Sequence, residues 1–502
     1  MNKHFFSELV YLVLFAGFQG WGQNPYLFKD INLGTGGSSP AGFITANGKM
    51  IFSADNGTSG NELWISDGTP SGTKQLMDIF SGAGSSNPGS FVNINGIVFF
   101  SAFNPVYGRE LWKTNGTLSG TTLVKDINQG TNSSYPDAFA NLNGALYFQA
   151  DNGINGAELW KSSGDSANTM LVKDINSGSG NSSPVELSAI NGKLFFSAND
   201  GVNGKEVWVS DGTNSGTNLF MDINAGSGGS FPSEFKYMLG KIFFQADDGI
   251  NGSELWASDG NLSGTALFKN INQGNGSSYP SSFTVLNGTM FFQADNSTNG
   301  SELWSSDGTA NGTKLFKDIN LGSGNSTPGD LRSISGKIYF RASDGNSGNE
   351  LWKTSGTDTS TVLVEDIYPG NGDSYPYGFT DLNGIIFFQA NDGATGTELW
   401  AMIAPVGIMN NFSEENPAVH VFPNPGNGLF NLELNFRETF ESNAPDYSFS
   451  IINTLGETIL LKKGIGNQQN KIDLMNQPQG IYFYRLMNQD GFVASGTFII
   501  QK

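Results

Sequence analysis

Carboxylates, hydroxyls and aromatic rings have to carry any chemistry in this 502-residue chain, because it has no cysteine and two histidines, His4 and His420, near its opposite ends. Residues 23–404 contain neither type. That excludes Ser-His-Asp and Cys-His nucleophilic catalysis, and His- or Cys-ligated zinc, from most of the molecule. Paired carboxylates remain open, as glycoside hydrolysis uses them to flank a bond. Most Asp and Glu residues occupy repeated positions, however, and no unrepeated pair stands out. The unrepeated Arg109, Arg332 and Arg341 are scattered and carry no specific signal. The chain reads as a binder rather than an enzyme.

Two patterns suggest binding. The residue before each of eight regularly spaced prolines varies, and at four of them it is aromatic: Tyr135, Phe231, Tyr279 and Tyr375. Such rings could stack on sugars or grip a protein partner, or they could merely cover a chain crossover. Acidic Gly-rich loops such as ADDGINGS place Asp247, Asp248 and Asn251 together, and their oxygens are of the kind calcium prefers. The spacing is not that of an EF-hand. Calcium would act there as a stabiliser, and the competing reading is a solvated turn.

The elements that must position these residues are set by a strict repeat. Trp64, Trp112, Trp160, Trp208, Trp256, Trp304, Trp352 and Trp400 are spaced 48 residues apart, each preceded two residues earlier by Glu62, Glu110, Glu158, Glu206, Glu254, Glu302, Glu350 or Glu398. A Pro and several glycines recur in the same register. Around Trp256 the runs SEFKYML, KIFFQA, ELWAS and ALFKNI, separated by Gly- and Asp-rich turns, predict four short strands. Four strands per 48 residues, eight times over, predict an all-β, eight-bladed propeller over residues 23–404, with a linear solenoid as the alternative. The chain opens with a lone fourth strand, Leu27 to Ile31, and the array stops on a third strand at Trp400. The N-terminal strand is therefore expected to complete the last blade and close the ring.

Each Trp is expected in a seam between blades, and each Glu, on the same strand face, in the same seam. A half-buried carboxylate needs partners, and the backbone N–H groups of the Gly-rich loop before it are the expected ones. The Glu is thus read as structural rather than ligand-binding. The loops after the second and fourth strands must share one face of the ring.

The in-register copies ELWISDGTPSGT from Glu62, ELWASDGNLSGT from Glu254 and ELWSSDGTANGT from Glu302 resemble the E-L-W-x-x-D-G-T repeat family of secreted bacterial proteins. The resemblance implies a fold and an extracellular setting but no activity. Asn115 and Ser163 replace the turn Asp while the following Gly is kept, so this position reads as a turn requirement and not a metal site.

Past a linker at 405–417, the pieces Phe422-Pro423-Asn424-Pro425, Asn453-Thr454-Leu455-Gly456, Gly480-Ile481-Tyr482 and Phe498-Ile499-Ile500 resemble the type A C-terminal sorting domain of the type IX secretion system. The resemblance implies a small β-sandwich over 418–502, handled by the outer-membrane export machinery. At the other end Lys3, the apolar run at residues 9–18 and Gly20-Trp21-Gly22 predict a cleaved signal peptide over 1–22, too short to span a membrane as a mature helix. The formal charge of −20 sets nucleic acid aside as a partner. The expectation is a secreted or cell-surface binding or adhesion scaffold for a glycan or a protein. The alternatives are a carboxylate-based polysaccharide-active enzyme and a structural surface-layer component.

Overall fold

A computed structural model describes residues 24–404, 418–422, 427–435, 447–452, 458–465, 470–488 and 491–500. The expected signal peptide and linker lie outside them. Two compact units divide between Ala404 and Pro405.

Within the first unit, every 48-residue repeat folds as predicted into a four-stranded antiparallel sheet. In the fifth these strands are Ser233–Met238, Lys241–Asp247, Ser253–Ser258 and Ala266–Lys269. Alternating apolar side chains and left-handed Asn-Gly or Asp-Gly turns set the hairpins. First strands of successive sheets face one another all the way round, and Ala41–Ala46 of the first meets Tyr377–Leu382 of the eighth. The sheets are thus blades of an eight-bladed propeller, with the first strands innermost around a central channel. The N-terminal strand Tyr26–Lys29 pairs with Thr397–Ile403, Leu27 opposite Trp400, and supplies the outer strand of blade eight.

The core is divided into eight seams, each filled by residues of two neighbouring blades and one repeat Trp. Trp256 packs toward blade four, against Phe195, Val207 and Ile223. All eight indoles are at least nine-tenths buried, and none of their N–H groups has an acceptor among the described residues. Lysines on outer strands add ties across the circumference. Lys29, Lys125, Lys173, Lys269 and Lys317 each donate to a carbonyl in the third-to-fourth turn of the next blade. Met77, Met221 and Glu365 stand at this position in blades one, four and seven.

Every inner strand carries a bulge near its start. The second residue after each repeat Pro has positive φ: Gly42, Ser90, Ala138, Glu186, Glu234, Ser282, Asp330 and Gly378. In blade one the position requires glycine, because a Cβ on Gly42 would stand 2.4 Å from the Phe91 ring.

The described part of the second unit is all β. One sheet has three strands, Ala418–Phe422, Leu429–Asn435 and Asn470–Asp473; the other has four, Thr458–Ile465, Tyr447–Ile452, Gly480–Asn488 and Gly491–Ile500. Phe430, Leu432 and Ile472 of the first share one apolar cluster with Phe449, Ile451, Leu486 and Ile500 of the second.

Candidate functional site

The repeated carboxylates build the face on which a site could sit. Glu254 is fully buried; its Oε2 accepts from the Ile271 N–H at 2.7 Å and the Ser278 hydroxyl at 2.7 Å, and its Oε1 from the Ser278 N–H at 3.0 Å. The other seven make the same grip, down to Glu398 on Ile31 and Ser38. This corrects the expected partner. The donors come from the crossover after the fourth strand, not from the Gly-rich loop before the Glu, because that crossover returns over the end of the third strand and presents three donors at once. The Gly-rich loop satisfies its own backbone instead. The recurrent Ser two residues before each Pro was the legible signal for this clamp.

Each clamp fixes the residue that follows its Ser. Those eight residues all adopt left-handed backbone, with φ from 44° to 48°, and each donates its N–H to the third strand. Bulky side chains seldom take this conformation, least of all in a loop that could relax. Tyr135, Phe231, Tyr279 and Tyr375 are nevertheless held in it and are 54–62 % exposed. They lie on the crossovers into blades three, five, six and eight, two residues before the inner strand, and so share the face on which those crossovers run. No ring contacts another among them.

The second-to-third-strand loops emerge on this same face. Their tips carry Val106, Ile154, Val202 and Ile250 on four consecutive blades, 60–74 % exposed, where the other blades have Thr58, Thr298, Asn346 and Ala394. Sequence reading missed this arc, although the 48-residue alignment contains it. In the loop considered for calcium, Asp247 accepts from the Gly249 N–H, and Asp248 accepts from the N–H groups of Ile250 and Asn251 and the Asn251 side-chain amide. These oxygens shape an Asx-type turn that presents Ile250. Among the described residues no group of three or more His, Cys, Asp or Glu is placed to hold a metal.

Residues without repeat counterparts gather in the channel, which the sequence did not reveal. Glu186, Glu234 and Asp330 occupy the bulge position of blades four, five and seven. Glu186 accepts the Glu234 N–H at 3.1 Å, Glu234 accepts the Phe283 N–H at 3.4 Å, and Asp330 accepts the Gly378 N–H. Left-handed bulges turn these N–H groups toward the preceding blade, and the carboxylates tie the inner strands together there. Burial raises the Glu234 carboxyl, with the Glu186 charge adding to the shift. Arg332, read as one of several scattered bases, bonds Asp330 at 3.0 Å and acts electrostatically on both Glu234 and Lys236. Arg341 lies over the Tyr377 ring, 5.5 Å from its centre. Arg109 reaches the carbonyls of Ser86 and Asn87 on the crossover into its own blade.

No curated protein matches the chain in sequence. Among solved structures, a puromycin hydrolase aligns with a TM-score of 0.43 at 11 % identity, over 72 % of this chain and 60 % of its own. A prolyl endopeptidase aligns with a TM-score of 0.42 at 14 % identity, over 81 % and 55 %. The β-propeller domain of the Trilobed protease from Pyrococcus furiosus aligns with 0.37 at 10 % identity, over 68 % and 98 %. The chain spans little more than half the length of the first two, and no activity follows from likenesses this distant. No helix among the described residues is long and apolar enough to cross a membrane. Residues 420–501 match the secretion system C-terminal sorting domain family, Por_Secre_tail. That domain implies handling by the type IX machinery and marks the protein as exported, to be secreted or held at the outer cell surface.

Proposed function

We propose that this exported propeller is a binding or adhesion scaffold that presents its crossover-loop face to a glycan or protein ligand. The observation that carries this reading is the left-handed backbone at which Tyr135, Phe231, Tyr279 and Tyr375 are held exposed. Clamped loops pre-organise the rings, so little conformational entropy is lost when a ligand stacks on them. The apolar tips at Val106, Ile154, Val202 and Ile250 widen the contact face. Repeated residues are consumed by the fold, whereas the variable ones lie where a ligand could reach them. In a glycan-array screen with and without calcium, selective binding is expected, and changing all four aromatics to Ser should reduce it at least tenfold. Unchanged binding by that variant would remove the aromatic rim from the reading.

A second reading, a polysaccharide-active enzyme, is favoured by Glu186 and Glu234, unrepeated carboxylates on neighbouring inner strands, one of them raised as a general acid must be. Their hydrogen bonds to backbone N–H groups weigh toward a structural role. Polysaccharide cleavage by the wild type that disappears in Glu234→Gln would reverse that weighting.

A further inference from the structure

Lys236 and Arg332 are the only cations on the inner strands at the fourth residue after the repeat Pro. The same position holds Ile44, Val92, Ala140, Ser188, Thr284 and Thr380 elsewhere. Register fixes their level: Lys236 pairs with Phe243, Thr284 with Phe291 and Arg332 with Tyr339, equivalent partners in blades five, six and seven. The two cations therefore flank the uncharged Thr284 of blade six at one depth in the channel. Hydroxyls at this position reach the next blade, Ser188 to the Phe235 carbonyl and Thr380 to the Phe43 carbonyl. Among the described residues the Lys236 ammonium makes no such bond and no close ion pair, although it is partly buried and feels the Glu234 charge. Burial and the nearby guanidinium lower its pKa, against a smaller upward pull from Glu234. Glu186, Glu234 and Asp330 face the same channel, but each carboxylate is turned to a backbone N–H of the following blade, and Asp330 takes only the Nε of Arg332. Glu234 and Asp330 offset part of this like charge, but their carboxylates are held by the Phe283 and Gly378 N–H groups, so an added anion would relieve the repulsion that remains between the two cations.

We propose that Lys236 and Arg332 form an oxyanion site inside the channel, which receives the carboxylate of an acidic sugar entering past the aromatic rim. The guanidinium keeps terminal N–H groups for a two-oxygen anion, and the ammonium supplies a point charge opposite. That the carboxylate belongs to a sugar rests on the binding reading above; the oxyanion site itself does not.

The test is titration calorimetry on the full exported chain with sodium sulfate, sodium acetate, an oligogalacturonate and a neutral oligosaccharide of equal length. The wild type is expected to bind the oligogalacturonate at least tenfold more tightly than the neutral sugar, and more weakly as ionic strength rises. Lys236→Met and Arg332→Gln should each weaken it about tenfold, and the double variant should lose it. Arg332 is more than half exposed, so its replacement leaves the core intact, and Lys236→Met should melt no lower than wild type because it removes like-charge repulsion. Replacing the four aromatics with Ser should weaken the sugar while sparing sulfate and acetate, which separates failure of the rim from failure of the site. Sulfate and acetate binding without the oligogalacturonate would overturn the sugar assignment. Equal binding by wild type and double variant, or none of the anions bound by wild type, would overturn the site.

Discussion

Trp256 and Glu254 illustrate how far one repeat position decides stability. Trp256→Ala opens a cavity in the seam between blades four and five and should cost about 4 kcal/mol, read as a fall in Tm. Trp256→Phe should cost less than about 1 kcal/mol, because the smaller ring also removes a buried N–H without an acceptor. Similar losses in both variants would mean that the indole N–H has a partner. At the eight Glu residues, burial pushes the carboxyl up against the pull of its hydrogen bonds, to about 7 at Glu110 and Glu350. A group raised this way binds its proton more tightly in the folded chain. Its contribution is full below the ordinary value of 4.5 and is lost as pH rises through about 7. Tm should therefore fall between pH 5 and pH 8, and a steady rise over that range would show that the clamps favour the ionised form. Sequence alone reads these Glu residues as structural, since a buried carboxylate on a strand needs donors, but it points to the Gly-rich loop rather than to the crossover that supplies them. The ties of Glu186 and Glu234 to their neighbours were illegible for a different reason. Their partners are backbone N–H groups turned sideways by bulges, and a bulge at a non-glycine residue leaves no mark in composition.

The strands themselves were plain from alternation and turn residues, and their closure from a lone fourth strand at one end and a missing one at the other. What the sequence did not convey is how blades are tied at the circumference. Lysine at the end of the outer strand joins five of the eight pairs, and the pair beginning at Met77 has none. Met77→Lys should place an ammonium within reach of the Leu118 and Thr121 carbonyls and add about 0.5–1 kcal/mol, raising Tm by roughly 1 °C. A fall in Tm would mean that Met77 packs better than the tie it displaces. Glu365 offers no such gain, because blade eight lacks the third-to-fourth turn that would provide the carbonyls.

At the scale of the molecule, an acidic surface surrounds a channel that keeps its own cations, and a separate C-terminal unit directs export. A chain ending at Ala404 should keep its folded propeller yet fail to reach the medium or the outer surface. Cell fractionation reads this, and normal delivery of the shortened chain would show that residues 420–501 are dispensable for it.

The pairing of Leu27 with Trp400 makes the earliest strand of the ring wait for the last. A ribosome must finish all eight repeats before the circle can shut, so closure reports on completeness. Chains cut short by even one blade keep an orphaned N-terminal strand and a raw sheet edge, the features that invite aggregation and proteolysis. Quality control thus needs no dedicated signal within the propeller: an unfinished copy announces itself by its open end.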